Sequence, residues 1–287
     1  MSKEKSTLTP QQKVIDYFTS IESRWGYSLL LKGVKHFGYY PVGQENISMR
    51  EAQRLMVEKL YEELSLPSHS FLLDAGCGEG EVALYLADKY GYQIKGVDLL
   101  DVSIEKARKK QSVRRLEDKV EFQVMDYTDS DFSDGTFDGI YTMETLVHVP
   151  DYKKALQEFY RVLEPKGKLV LFEYSICPLE HIPLETRKIL QIIIEESGMH
   201  SLPYFLHGKF PEILQETGFT NVSVENITQQ VTPMLKRFHQ LAFIPYKFIK
   251  LFGLQRRFVN ATAGAEGYEN LSKKDYWRYN IVTASKP

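Results

Sequence analysis

The sequence predicts an α/β fold in which a mostly parallel sheet carries helices on both faces. Short apolar runs alternate with segments of helical periodicity along most of the chain. A glycine-rich turn joins the first apolar run to the first helix, and Asp98 ends the second run. Strand, glycine turn, helix, strand and terminal acid together describe the first half of a nucleotide-binding sheet.

The remaining elements follow in a regular order. Strands are predicted at 71–73, 94–97, 120–125, 137–142, 168–174, 222–227 and 279–284, and helices at 81–90, 102–116, 151–163 and 210–217. Other segments fall outside this pattern. Because ligands bind at the carboxyl ends of strands in such sheets, we expect an N-terminal lid at 1–65. The core is predicted at 66–287, with inserted caps at 175–208 and 229–277.

Composition excludes several classes of protein. The 43% apolar content supports a sizeable core, and a net charge of −2 argues against a general nucleic-acid binder. Two cysteines favour a reducing compartment. The first residues lack the apolar core of a signal peptide, and no apolar stretch is long enough to span a membrane. The expected location is cytoplasmic.

The glycine turn indicates which nucleotide is bound. A dinucleotide fingerprint reads GxGxxG, whereas this turn reads DxGxGxG. Asp74 lies inside the turn, and Glu79 and Glu81 stand at the helix start. These carboxylates would repel a pyrophosphate but suit a ligand that has an ammonium group and no phosphate. An ordinary tight turn in an NAD-binding domain is the alternative.

The segment LDAGCGEG resembles the first motif of class I S-adenosylmethionine-dependent methyltransferases. This resemblance implies a Rossmann-like, seven-stranded sheet whose last strand is antiparallel, and S-adenosyl-L-methionine as the cofactor. It also implies a set of cofactor-binding residues: Asp74, Gly76, Cys77, Gly78, Gly80, Asp98, Leu99, Asp126 and Tyr127. In this interpretation the glycines admit the methionine portion, Asp98 accepts from the ribose hydroxyls, and Tyr127 lies against the adenine.

Glu144 and His148 are the predicted catalytic residues. They stand four apart in TMETLVHVPDY, and would share one face if this segment were helical. Ubiquinone-pathway O-methyltransferases carry a similar stretch, with a second glutamate where Val147 stands here. Sterol C-24 methyltransferases place an acid and a histidine at this spacing. The alternative for His148 is a hydrogen bond that closes the following helix start.

An aromatic segment precedes the glycine turn. It resembles the segment before the first motif in sterol, tocopherol and isoprenoid C-methyltransferases, and this likeness predicts substrate-binding residues Trp25, Tyr27, Phe37, Tyr39 and Tyr40. Simple packing on the sheet is the alternative. The first hypothesis is therefore carbon methylation of a small lipophilic acceptor, a sterol or isoprenoid alkene. O- or N-methylation of a phenolic or amine metabolite comes second, and a non-enzymatic binding protein third.

The segment 229–277 is basic and aromatic. No acidic residue stands between Glu225 and Glu266, while six lysines and arginines alternate with phenylalanines and leucines. This pattern is typical of a helix in a membrane interface, and predicts a peripheral membrane contact through 229–260. The alternatives are a wall of the acceptor pocket and a solvated basic face over a buried apolar stripe. No metal site is predicted.

Overall fold

A computed structural model describes residues 9–20, 22–23 and 34–287. Its strands are β1 Phe71–Ala75, β2 Gln93–Asp98, β3 Val120–Val124, β4 Phe137–Met143, β5 Leu163–Ile176, β6 Thr220–Asn226 and β7 Trp277–Ser285. Its α-helices are α1 Pro10–Thr19, α2 Met49–Leu64, α3 Glu81–Tyr90, α4 Asp101–Arg114, α5 Tyr152–Val162, α6 Leu184–Glu196, α7 Phe210–Thr217, α8 Thr228–Leu251 and α9 Val259–Glu266.

The seven strands form one sheet in the order β3-β2-β1-β4-β5-β7-β6. β1 to β5 pair in parallel, and β7 runs antiparallel to both β5 and β6. This topology confirms the predicted fold class. Because the strand order reverses between β1 and β4, a crevice opens at the carboxyl ends of these two strands, where such sheets bind their ligands.

The parallel strands are apolar along most of their length because helices cover both faces of the sheet. Leu72 and Leu73 in β1, and Ile140 in β4, are buried. α5 buries Leu156 and Phe159, whose helical spacing predicted this element. These residues belong to one hydrophobic core, which keeps the carboxyl ends of the strands in fixed positions.

One strand differs from its prediction. β5 begins at Leu163 rather than at residue 168, because the residues of the predicted EPKG turn form an irregularity inside the strand instead of a separate turn before it. Within this part of β5, Lys166 has a left-handed backbone with a φ of 69°, and the pairing register with β4 shifts between Phe137 and Gly139. A bulge of this kind is a local device that sequence periodicity does not reveal.

The segment 229–277 forms most of α8, then α9 and a π-helical turn at Gly267–Ser272. α9 packs against α8 and α6. α1 lies beside the turn that follows α6, since a Cβ added at Gly198 would lie 3.0 Å from the side chain of Val14. Among the helices within the described residues, none is long and apolar enough to cross a bilayer. The division into lid, core and caps stays a prediction.

Candidate active site

The glycine turn follows β1 and closes back onto β2. The amides of Gly76 and Cys77 both donate to the Val97 carbonyl, at 2.9 Å each. Gly76 has a φ of +91°, and a Cβ there would lie 2.4 Å from the side chain of Thr145. Gly78 has a φ of +52°, and a Cβ there would meet nothing within 4 Å. Gly78 therefore leaves open space above the turn.

Gly80 has a different role from Gly78. It precedes α3 with a φ of +77°, and a Cβ at this position would lie 2.5 Å from the ring of Phe122. Close packing between α3 and the sheet requires a glycine here. Gly80 is not among the described residues that line the neighbouring cavity.

Two carboxyl groups face this turn. Asp98 Oδ2 accepts from the Gly78 amide at 2.9 Å, and Asp98 Oδ1 accepts from the Leu100 amide at 2.8 Å. Asp74 is buried, and its Oδ2 has no hydrogen-bond partner among the described residues. Burial raises the pKa of Asp74 to about 7, and the nearby charge of Asp98 adds to this shift. Burial also raises the pKa of Asp98.

The end of β3 supplies the opposite side of the cavity. Asp126 accepts from the Thr128 amide at 2.9 Å and from the Gln11 side chain at 2.6 Å, so α1 reaches across the site. Tyr127 is buried, and its hydroxyl donates to Thr145 Oγ1 at 3.4 Å. Leu99 follows β2 and contributes apolar surface to the same cavity.

These groups enclose a cavity of about 170 Å³. The predicted residues that line it are Asp74, Gly76, Cys77, Gly78, Asp98, Leu99, Asp126, Tyr127, Glu144 and His148. Glu79 and Glu81 also line the cavity, but lysines and an arginine of α4 neutralise them. Lys35 lies at the wall, and burial lowers its pKa while the charge of Asp98 opposes this shift.

Glu144 ends β4 in a strained conformation, with a φ of 62°. Its amide donates to the Phe172 carbonyl at 2.8 Å, which ties the strained residue to β5. Oε1 accepts from the Phe37 amide at 2.6 Å and from the Tyr279 hydroxyl at 2.8 Å, and Oε2 accepts from the Tyr174 hydroxyl. Burial nevertheless raises the pKa of Glu144 to about 7. The carboxyl group is thus fixed in position.

The segment from Glu144 to His148 is not an α-helix, so the two residues do not share a helical face. It forms a short 3₁₀ turn at Leu146–His148, because the positive φ of Glu144 redirects the chain. Ser201 holds this turn by donating to the carbonyls of Val147 and Val149. Glu144 and His148 still line the same cavity, as the prediction required.

His148 does not close the following helix, because the carboxylate of Asp151 caps it. The Nδ1 atom of His148 lies 3.2 Å from the carbonyl of Gly198. A carbonyl only accepts, so Nδ1 carries the proton and Nε2 is the basic nitrogen. Burial lowers the pKa of His148 to about 4. The ring is therefore neutral at pH 7. The ring of Phe18 packs against it in a T-shaped arrangement, with 5.1 Å between the ring centroids.

A second, larger cavity of about 510 Å³ adjoins the first. Side chains of α8, α9 and the aromatic residues Phe37 and Trp277 make its walls largely apolar. The residues that line both cavities are Tyr17, Lys35, His36, Glu144, Tyr174 and Met199. A volume of this size suits a small organic ligand. The fixed carboxyl group of Glu144 lies where the two cavities meet.

The structure brings only part of the predicted substrate set to this cavity. Phe37 lines it. Tyr39 and Tyr40 are not among the described residues that line either cavity, and Tyr40 is buried beside Arg237, which donates to its hydroxyl at 3.1 Å. Trp25 and Tyr27 lie outside the described residues.

Sequence analysis also missed several residues of the site. Tyr174 and Tyr279 hold Glu144, and nothing in their strands distinguishes them from core residues. Glu173 is fully buried beside them, and accepts from the Leu146 amide at 2.7 Å. Burial raises the pKa of Glu173 to about 8. An acid inside the apolar run LVLFEYS was the signal that could have found it.

Comparison with known proteins agrees with this geometry. A family profile described as a methyltransferase domain matches residues 73–171. The S-adenosyl-L-methionine-dependent Diels-Alderase iccD of Talaromyces variabilis is 35% identical over 283 residues, which cover 96% of each chain. Norajmaline N-methyltransferase of Rauvolfia serpentina is 30% identical over 67% of this chain and 70% of its own. The chain belongs to the S-adenosyl-L-methionine-dependent methyltransferase family.

The solved structures support the same fold for this methyltransferase family member. The [4+2]-cyclase SpnF superimposes with a TM-score of 0.77 over 97% of this chain and 96% of its own, at 24% sequence identity. At that identity the likeness shows the fold alone. The chain is an enzyme, and its cofactor is S-adenosyl-L-methionine.

The residues of the smaller cavity fit this cofactor. The unpartnered Oδ2 of Asp74 suits a ligand that brings a positive charge and hydrogen-bond donors. Each oxygen of Asp98 accepts one amide and retains a lone pair for a ribose hydroxyl. The open space above Gly78 admits the ligand close to the backbone. The individual contacts of these residues with the cofactor stay predictions.

Proposed function

We propose that this methyltransferase methylates a carbon atom of a lipophilic alkene, of sterol or isoprenoid type, bound in the larger cavity. The observation that carries the proposal is the position of Glu144. Its carboxyl group lies at the junction of the two cavities, and two tyrosine hydroxyls and one backbone amide hold it there.

An alkene acceptor needs electrostatic stabilisation rather than a strong base. When bound, S-adenosyl-L-methionine supplies a methyl group activated by its sulfonium. As the alkene π electrons bond to that methyl carbon, its bond to sulfur would break and S-adenosylhomocysteine would leave, so that positive charge would develop on a neighbouring carbon of the acceptor. The carboxyl group of Glu144, when ionised, and the rings of Tyr174 and Trp277 line the larger cavity and would stabilise this charge.

The last step is loss of a proton from the acceptor cation. His148 lines the smaller cavity with Glu144, so it would take this proton from the part of the acceptor that reaches the cofactor. It is neutral at pH 7 with its Nε2 unprotonated. A pKa near 4 makes His148 a weak base, which suffices for a carbocation because its neighbouring protons are strongly acidic. The same weakness argues against activation of a phenol, for which the ideal base has a pKa near the working pH.

Chemistry without methyl transfer is the second candidate. One relative, which matches along 96% of this chain, is named a Diels-Alderase and is described as dependent on S-adenosyl-L-methionine. A [4+2] cycloaddition needs a shaped apolar cavity. It needs no base, and it consumes no methyl donor. The larger cavity also meets that requirement. In this case the cofactor would hold the cavity wall and remain unchanged.

One incubation separates the two candidates. The enzyme is mixed with S-adenosyl-L-methionine and, in turn, sterols, prenyl diphosphates, linear polyenes, catechols and amines, and the products are analysed by mass spectrometry. Methylation is expected to yield a product heavier by one CH₂ from an alkene, with one equivalent of S-adenosylhomocysteine. A product isomeric with its substrate, formed without S-adenosylhomocysteine, would replace the proposal with cycloaddition. Methylation confined to catechols or amines would refute the carbon acceptor.

A further inference from the structure

We propose that α8 docks on an anionic lipid bilayer through one exposed apolar face, and that the larger cavity opens at this face. The α8 face consists of Leu241, Ile244, Phe248 and Leu251, which share one side of the helix at about 100° per residue. These side chains are between 54% and 75% exposed. Phe252 follows directly and is also exposed. A contiguous apolar surface of this kind marks an interaction site.

The α8 face is continuous with the wall of the larger cavity. Leu241 is exposed to solvent and also lines this cavity, together with Ala242 and Pro245 of the same helix. The opposite side of α8 is buried, where Tyr246 and Ile249 pack against α9. A lipophilic molecule that leaves a bilayer at Leu241 would therefore enter the cavity without crossing water. This continuity favours a lipid surface over a protein as the occupant.

The charges around the α8 face point to an anionic surface. Lys247 lies beside the α8 face and Lys250 lies farther around the helix, both exposed, and Arg257 follows in the next turn of the chain. Not all six cations counted in the sequence are available for lipid. Arg256 pairs with Glu195 and Glu196 of α6.

Arg237 points inward from α8, where it donates to the carbonyl of Ile47 at 2.8 Å. Glu185 of α6 is exposed. Its hydrogen bond to Lys188 lowers the pKa of Glu185 most, and the charge of Lys250 lowers it further. The net positive charge at the α8 face is therefore smaller than the sequence suggests. We expect apolar insertion to carry most of the binding, and the lysines to set the preference for anionic lipid.

Sedimentation with vesicles tests the proposal without any acceptor, so its outcome is separate from that of the proposed reaction. The full chain with bound S-adenosyl-L-methionine is mixed with vesicles of phosphatidylcholine, with or without phosphatidylserine. We expect binding to the mixed vesicles that falls at high salt but does not vanish. Replacing Lys247 and Lys250 by Gln should remove the preference for phosphatidylserine.

A matched pair of double variants locates the contact. Ile244→Glu with Phe248→Glu should weaken vesicle binding at least about tenfold, because two charges would enter the membrane interface. Val42→Glu with Val113→Glu adds the same charge at other exposed apolar positions, and should bind as the wild type does. Calorimetry with S-adenosyl-L-methionine checks that all variants are folded.

Three results would overturn the proposal. One is a wild type that stays in the supernatant with both kinds of vesicle at low salt, and another is equal vesicle binding by the two double variants. Light scattering would reveal the third result: a wild-type dimer that Ile244→Glu converts to a monomer. In that case a second copy of the chain covers the α8 face.

Discussion

The chemistry of the site depends most on one residue, Glu144. Its left-handed backbone places the carboxyl group at the end of β4, above the sheet edge where the two cavities meet. Tyr174 and Tyr279 supply hydroxyl donors from β5 and β7, and Phe37 supplies an amide from the segment before α2. Three elements thus hold one buried acid on a strained backbone. This arrangement costs folding free energy, and such a cost is typical of a residue that has a function.

Glu144→Gln should reduce the chemical step by about 10²-fold, because a fixed charge matched to the transition state is typically worth that much. Both ligands should still bind, since the amide has nearly the same shape. His148→Ala should reduce turnover less. Single-turnover kinetics and calorimetry of each variant make the comparison. A larger loss in His148→Ala, partly restored by raising the pH, would instead indicate a phenol or amine acceptor.

Asp98→Leu should weaken S-adenosyl-L-methionine by at least about tenfold, since a lost acceptor in a buried site costs about 1–3 kcal/mol. The substitution leaves the amides of Gly78 and Leu100 unpaired and, in the predicted cofactor site, would leave the ribose hydroxyls unpaired too. Asp98→Asn keeps one acceptor oxygen and should lose less. Isothermal calorimetry measures both affinities. Wild-type affinity in Asp98→Leu would remove this residue from the cofactor site.

At the scale of elements, the glycines of the turn between β1 and α3 have different structural roles. Gly78 borders open space, whereas Gly80 contacts the ring of Phe122 and sets the distance from α3 to the sheet. The sequence motif presents them as equivalent cofactor residues. Only the tertiary contacts separate the two roles, because the ring of Phe122 comes from β3, about forty residues later in the chain.

Gly78→Val and Gly80→Val should therefore fail in different ways. Both residues have a positive φ, where a β-branched side chain is strained. Gly78→Val should keep its fold and lose cofactor binding, because the added side chain fills the ligand space. Gly80→Val should lose stability as well, because its Cβ overlaps the Phe122 ring. Thermal unfolding followed by circular dichroism, with a cofactor titration, distinguishes them. Normal binding by Gly78→Val would show that the turn does not contact the cofactor.

At the scale of the whole molecule, buried ionisable groups make stability depend on pH. Burial raises the pKa of Asp74 and Glu144 to about 7 and that of Glu173 to about 8, so below these values the folded protein retains protons that the unfolded chain releases near pH 4. Their contribution is fully present below the unfolded pKa near 4, and is lost as the pH rises through 7 and 8. Burial lowers the pKa of His36 and His148 to about 4, so their contribution is lost as the pH falls below 6.5.

Without cofactor, the midpoint of thermal unfolding should therefore fall most steeply between about pH 6.5 and 8, where the histidines no longer oppose the carboxyls. Bound S-adenosyl-L-methionine should reduce this fall, because its positive charge favours the ionised form of Asp74 and Glu144. Glu173→Gln should reduce it as well, since a neutral amide needs no proton. Differential scanning calorimetry across this pH range provides the measurement. A midpoint that is constant or rises from pH 6.5 to 8 would contradict the account.

Local patterns predicted the sheet, because the signals for its strands are short-range, and all of the predicted cofactor residues except Gly80 line one cavity. The apolar period of the strands and the spacing of Asp74, Gly76 and Gly78 are properties of contiguous sequence. The larger cavity depends instead on where α8 and α9 fold back over the sheet. Tyr279 joins Glu144 from 135 positions away, and no periodicity encodes that contact. Tyr40, predicted as a substrate residue, packs beside Arg237 for the same long-range reason.

The central claim is that a methyl group passes from the cofactor to a carbon of an alkene. The most direct test supplies S-adenosyl-L-methionine with an isotopic carbon in its methyl group, together with the alkene that the enzyme consumes, and examines the product by nuclear magnetic resonance. The account predicts a labelled methyl carbon coupled to a carbon of the acceptor, with Glu144→Gln forming little of this product. A label bonded to oxygen or nitrogen, or a product that carries no label, would contradict it.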